Sequence, residues 1–293
     1  MIVGFVGLGA MGLPMAQNLV RRQFRVRGFD MRAEALQALE KAGGAAAASA
    51  REAADGADAL VLMVVNAAQA ESVLFEAGAL DALGPQATVI LMATCPPAAA
   101  SAIAARVAAT GRRFVDAPVS GGVVGATAGT LTIMAAAPQD VFDAAKPVLE
   151  ALGDKIFHVG LEPGQGATVK TVNQLMCGVH IAVAAEAMAL AEKAGIDGAI
   201  VLEILGGSAA SSWMLKDRGP RMLEDEPRVT SAVDIFVKDL GIVLDAGRAS
   251  KTPTPLAALA HQLFVSASAQ GLGLKDDSQV VSVYRALAGS KPN

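Results

Sequence analysis

Six residues near the start of the chain, GLGAMG over 7–12, constrain its fold more than any other stretch. They follow a short apolar run, IVGFV (2–6), and lead into residues 11–22, where Met11, Met15, Leu19 and Arg22 recur at helical spacing. Gly7, Gly9 and Gly12 form the pattern G-x-G-x-x-G. Between a strand and a helix, the first glycine permits a tight turn and the second lets the backbone approach a pyrophosphate. The third lets helix and strand pack closely. Free N–H groups and the helix dipole then favour negative charge at the helix start. Alone, the pattern also suits a purely structural turn. The context is more specific, because a second strand pattern, FRVRGF (24–29), ends at Asp30. A carboxylate there accepts hydrogen bonds from adenosine ribose hydroxyls and repels a 2′-phosphate. The expected cofactor is therefore NAD, held by Gly7, Leu8, Gly9, Ala10, Met11, Gly12 and Asp30. Arg32, two residues on, is the one feature favouring NADP.

The first half continues as alternating strand and helix. A helix pattern over 33–42 closes at Gly43-Gly44, and DALVLMVV (58–65) and ATVILMA (87–93) are continuous apolar runs. Such runs suit parallel strands covered on both faces. A helical stretch near 68–76 separates them, and FVDAPV (114–119), TLTIMAAA (130–137) and IFHVG (156–160) read as further strands. The fold class expected is α/β: a Rossmann-type, doubly wound, mainly parallel sheet, followed by an all-α C-terminal domain. From Gly166 to Gly195 the pattern is one uninterrupted helix, about 42 Å long. Helical segments follow at 197–206, 211–224, 231–250, 255–269 and 276–287. The boundary is drawn at 162/163, giving a dinucleotide-binding domain over 1–162 and a helical substrate and dimerisation domain over 163–293. Two domains also suit a length of 293 residues.

Composition excludes several classes. A net charge of −4 argues against electrostatic binding to nucleic acid. Cys95 and Cys177 are too few for a disulfide framework and fit a reducing compartment. The opening residues lack the basic region and cleavage site of a signal peptide, so a soluble, cytoplasmic enzyme is expected. The uncharged run after Lys170 ends at Ala185 and contains Asn173, Gln174 and His180, too short and polar for a bilayer span. His158, His180 and His261 have no metal-ligand spacing, and no metal site is expected.

Four separated motifs make the chain resemble the β-hydroxyacid dehydrogenase family, the relatives of 3-hydroxyisobutyrate dehydrogenase. They are GFVGLGAMGLPMAQNL (4–19), DAPVSGG (116–122) with GTL (129–131), GQGATVKTVNQ (164–174) and KDLG (238–241). They occur in the family's order and span nearly the whole chain. The resemblance implies hydride transfer between NAD and a short, polar hydroxy acid, of the threonate type, with Lys170 as general acid/base. An unperturbed lysine is a poor base at neutral pH, and partial burial is what makes one competent. Lys170 falls in the first turns of an apolar helix just past the domain boundary, where a cleft between domains is expected. Asn173, one turn later, shares its face and is expected to bind substrate, with Gln174 beside it. Ser120, Gly121 and Gly122 follow a strand end, where a hydroxyl and glycine N–H groups can hold a substrate carboxylate. Asp116 reads as structural. Asn66 and Thr94 each follow a buried strand at the cofactor edge; Ala93 replaces a serine that often precedes that threonine in relatives. Lys238 either pairs with Asp234 on a solvated helix face or, as the resemblance implies, stands near cofactor and substrate with Asp239 as its anchor. Phe236 and Trp213 are candidate lining residues.

Two alternatives stay open. One is reduction of a small semialdehyde or glyoxylate, of the tartronate semialdehyde, succinic semialdehyde or 3-hydroxyisobutyrate type. Imine-reducing relatives lack a lysine at the catalytic position, so Lys170 argues against them. A non-catalytic NAD-binding module is the reading from a different class. The expected partners are the small-molecule hydroxy acid and further copies of the chain, as a homodimer or homotetramer joined through the long helix.

Overall fold

Strand β1 (Ile2–Val6) lies parallel between β2 (Arg25–Phe29) and β4 (Ala59–Leu62), and its register brings Val6 level with both Phe29 and Leu62. The computed structural model describes residues 1–289. The first half runs β1, α1 (Gly12–Arg21), β2, α2 (Ala33–Lys41), β3 (Ala45–Ala46), α3 (Ala50–Ala54), β4, α4 (Ala67–Glu71) and α5 (Ala79–Ala82). It continues through β5 (Thr88–Leu91), α6 (Pro97–Ala108), β6 (Arg113–Asp116), β7 (Val119–Ser120), α7 (Gly122–Ala128), β8 (Thr132–Ala136), α8 (Gln139–Leu152) and β9 (Lys155–Gly160). Strand order is β3-β2-β1-β4-β5-β6-β8-β7, with β9 also paired to β8. Every pairing is parallel except β6 with β8 and β7 with β8. This is the mainly parallel, doubly wound sheet expected from the sequence.

Burial explains why these strands read as unbroken apolar runs. All four residues of β4 and of β5 are buried. Ala59, Val61 and Ile90 join one hydrophobic cluster, while Leu60, Leu62, Val89 and Leu91 join another. Alternate side chains thus feed separate cores on the two faces of the sheet, as a sheet covered by helices on both sides requires.

The second half is helical: α9 (Gln165–Lys193), α10 (Gly198–Gly207), α11 (Trp213–Met222), α12 (Val233–Ser250), α13 (Pro255–Ala267) and α14 (Val281–Leu287). Its core gathers Ile181, Met188, Leu215, Phe236, Leu240 and Phe264. The Arg218 guanidinium meets the fully buried Asp277 carboxylate through two 3.0 Å bonds, and Arg221 meets Asp276 at 3.0 Å. These pairs tie α11 to the segment that bridges Ala232 at the start of α12. The chain divides into two compact units between Lys170 and Thr171, inside α9, whereas the sequence drew its boundary at 162/163. Helix α9 is, among the described residues, the one helix long and apolar enough to cross a membrane, and half of its most apolar window is buried.

Candidate active site

Parallel strands deliver their C-terminal ends to one edge of a sheet. The ends of β1, β2, β4, β5 and β6 therefore bring together Gly7–Gly12, Asp30, Asn66, Thr94 and Asp116 within the first unit. The glycines divide the work at this edge. Gly7 has φ +94°, and a Cβ there would stand 2.4 Å from the Met63 carbonyl oxygen. A Cβ on Gly12 would stand 1.8 Å from the Gly7 oxygen. Both glycines are demanded by the fold itself. At Gly9 the nearest neighbour of such a Cβ is an Arg32 nitrogen 4.0 Å away, so packing does not require glycine there. The open space beside Gly9 fits a ligand approaching the backbone, and the first turn of α1 carries no acidic residue to repel an anion. The residues present fit a dinucleotide.

Asp30 fastens the loop. Leu8 N–H donates to its Oδ2 at 2.7 Å, and Arg32 donates to its Oδ1 through backbone N–H at 2.9 Å and Nε at 3.0 Å. Burial pushes this carboxyl's pKa up, but the hydrogen bonds from Arg32 and Leu8 outweigh it and hold the group below its ordinary value. Arg32 is thus an ion-pair partner of Asp30, and its Nη2 also reaches the Leu8 carbonyl at 2.9 Å. Asn66 caps α4 by accepting from Gln69 N–H at 2.9 Å, while the Gln69 side chain accepts from Val65 N–H at 2.9 Å. Thr94 is half-buried just past β5.

Past β6 the chain turns through Pro118 into β7 and then through Gly121 and Gly122, at φ +124° and +58°. Only glycine adopts both conformations freely, which keeps side chains away from the N–H groups beside Ser120. Asp116, buried at the end of β6, accepts from Gly164 N–H at 2.8 Å and Ala167 N–H at 2.9 Å. One turn beyond Ala167 stands Lys170, only 7% exposed, which excludes a side chain spread into solvent.

Within the second unit, Gln174 is buried and donates from Nε2 to Asp239 Oδ2 at 2.5 Å, so its amide is engaged with α12. Lys238 Nζ donates to Asp239 Oδ1 at 2.5 Å, making Asp239 the shared acceptor, the anchor expected from the sequence. Asn173 is half-buried and accepts a weak bond from Cys177 Sγ at 3.8 Å. Phe236 is a core residue stacked on Phe264 at 5.2 Å rather than a lining residue, because its position on α12 faces the hydrophobic cluster. Trp213, half exposed, opens α11 with the Arg218 guanidinium 5.9 Å from its ring. Among the described residues no group of three His, Cys, Asp or Glu is arranged to hold a metal ion.

Residues 2–160 match the family model for the NAD binding domain of 6-phosphogluconate dehydrogenase, and residues 164–284 match that for NAD-binding of NADP-dependent 3-hydroxyisobutyrate dehydrogenase. An L-threonate dehydrogenase of Cupriavidus necator is 46% identical, over 96% of this chain and 95% of that protein. The 3-hydroxyisobutyrate dehydrogenase of Pseudomonas aeruginosa is 36% identical, over 97% of this chain and 98% of that one. A crystal structure of a 3-hydroxyisobutyrate dehydrogenase from Salmonella typhimurium superposes with a TM-score of 0.93 at 43% identity, covering 97% of this chain and 99% of the other. Fold, glycine loop and matches together define a nicotinamide-dinucleotide-dependent oxidoreductase acting on hydroxy acids. The chain belongs to the 3-hydroxyisobutyrate dehydrogenase-related family of β-hydroxyacid dehydrogenases.

Proposed function

We propose that the protein oxidises L-threonate at C2 to the 2-oxo acid, using NAD, with Lys170 as general base. The observation that carries this reading is the near-complete match, at 46% and 42% identity, to proteins named L-threonate dehydrogenase. The dinucleotide, held by Gly7–Gly12 and Asp30, supplies the hydride acceptor. Asn66, Thr94 and Lys238 are the further cofactor contacts. Lys170 takes the hydroxyl proton as the carbonyl forms, and returns it in the reverse direction. Ser120 and the N–H groups of Gly121 and Gly122 hold the carboxylate, and Asn173 orients the reacting hydroxyl. Gln174 serves alongside them through Asp239, whose carboxylate it shares with Lys238.

Preference for NAD over NADP follows from Asp30, whose carboxylate stands where an added 2′-phosphate would be repelled. The chain has two cysteines, Cys95 and Cys177, both buried and too few for a disulfide framework, which supports a reducing, cytoplasmic setting. Val172, Met176, Val183 and Leu190 leave an exposed apolar stripe along α9, which supports a homodimer or homotetramer.

A panel of hydroxy acids tests the substrate. With NAD in excess, L-threonate is expected to give the highest kcat/KM among L-threonate, 3-hydroxyisobutyrate, glycerate and 4-hydroxybutyrate. A higher value for 3-hydroxyisobutyrate would move the assignment to the substrate named for the Salmonella structure. Absence of turnover with L-threonate would contradict the assignment.

A further inference from the structure

We propose that Asp116 is a positioning residue: by gripping the first turn of α9 it sets where Lys170 stands relative to the Ser120–Gly121–Gly122 loop. The inference rests on the reading of Lys170 as acid/base. The mechanism makes no use of this carboxylate, yet it is 1% exposed and spends its bonding on one target. Oδ2 accepts the N–H groups of Gly164 and Ala167. Burial pushes its pKa up against the hydrogen bonds from Ala167, Gly164 and Gly166. A helix start leaves several N–H groups without partners, and one side-chain oxygen placed among them fixes the first turn. Lys170 lies three residues past Ala167, on the same side of the helix.

The entry to α9 is packed tightly, which leaves the turn that Asp116 holds little room to shift. Gly164 has φ +103°, and a Cβ there would stand 2.3 Å from Ser101 Oγ. A Cβ on Gly166 would stand 2.5 Å from the Met134 carbonyl oxygen and 2.7 Å from that of Asp116. Ser101 Oγ donates to the Pro163 carbonyl at 2.8 Å. The opposite end of the connection is equally short. Asp116 stands four residues before Ser120, and that interval is pinned by Ala117 N–H on Leu91 O at 2.8 Å and Met134 N–H on Pro118 O at 3.0 Å. One carboxylate therefore joins the segment assigned to the substrate carboxylate and the helix assigned to the reacting proton. Displacing a catalytic group by about 1 Å costs on the order of 10²-fold in rate.

Asp116→Asn and Asp116→Glu separate position from charge. Asparagine keeps an acceptor oxygen in place and drops the charge; glutamate keeps the charge and moves the oxygens by a methylene. Positioning predicts that Asp116→Asn retains kcat within about threefold, while Asp116→Glu loses about 10- to 100-fold in kcat with little change in KM. NADH affinity, read by fluorescence, is expected to stay within about twofold in both, because the glycine loop is untouched. Gly166→Ala, which pushes the same turn away from Asp116, is expected to behave as Asp116→Glu and stands in should that variant not fold. Equal losses in Asp116→Asn and Asp116→Glu would overturn the proposal, as would wild-type kcat in Asp116→Glu or in Gly166→Ala. Lys170→Ala is measured alongside. If it keeps activity, the acid/base reading has failed; if it is inactive while Asp116→Glu is not, the positioning inference alone has failed.

Discussion

Lys170 sits buried one helical turn beyond an N-terminus held by Asp116, and its proposed work depends on losing a proton. Lys170→Ala is therefore expected to lower kcat by about 10²- to 10⁴-fold, the range for removing a positioned acid/base. Lys170→Arg should do almost as much damage, since a guanidinium stays protonated and cannot accept the proton. NADH affinity should survive in both variants, because the glycine loop and Asp30 form without this side chain. Steady-state kinetics with NADH fluorescence reads both. A Lys170→Ala enzyme keeping more than about a tenth of kcat would pass the role elsewhere, with Lys238 the first suspect. The proposed cofactor choice rests on Asp30. Its carboxylate already meets Leu8 N–H and Arg32, and kcat/KM with NAD is expected to exceed that with NADP by at least about tenfold. Comparable values would assign the 2′-phosphate to Arg32, whose side chain is 59% exposed and adjacent.

At the scale of elements, the turn between β1 and α1 separates folding from binding. A Cβ at Gly12 collides with the Gly7 carbonyl oxygen at 1.8 Å, whereas one at Gly9 meets nothing nearer than 4.0 Å. Gly12→Ala should lower Tm or abolish folding. Gly9→Ala should leave Tm within a few degrees and raise KM for NAD, with thermal melts and kinetics run on the same preparations. A Gly9→Ala enzyme with unchanged KM would remove the phosphate role from this loop. Much of this architecture was legible in the sequence because each signal was local. Continuous apolar runs marked β4 and β5, and glycine spacing marked the turn into α1. Short or compositionally plain elements left no such mark. The two-residue β3 and the five-residue α3 lie in or beside an alanine-rich stretch with little polar contrast. The 276–287 segment reads as one helix but is a 3₁₀ turn followed by α14, because Asp276 caps the turn and both aspartates are drawn into the Arg218–Arg221 pairs. Asp116 reads as structural from its motif, yet its grip on residues 164 and 167 is a long-range contact that no periodicity encodes. The same holds for Gln174, whose reach to Asp239 on α12 depends on how two helices cross.

For the whole molecule, helix α9 carries an exposed apolar face on which the proposed oligomer rests. Val172, Met176, Val183 and Leu190 are 48–70% exposed at spacings of four and seven residues, the arrangement of one apolar helix seam. Sedimentation at micromolar concentration is expected to show a dimer or tetramer, and Met176→Glu with Val183→Glu should shift it toward monomer. A stable wild-type monomer would contradict the interface. Fold, cofactor and substrate meet in a single proposed hydride transfer, which an isotope label follows directly. L-Threonate carrying deuterium at C2 is to be incubated with the wild-type protein and NAD, and the reduced cofactor weighed by mass spectrometry. The expected product is reduced NAD heavier by one deuterium, together with the 2-oxo acid. Unlabelled reduced cofactor, or none at all, would contradict it.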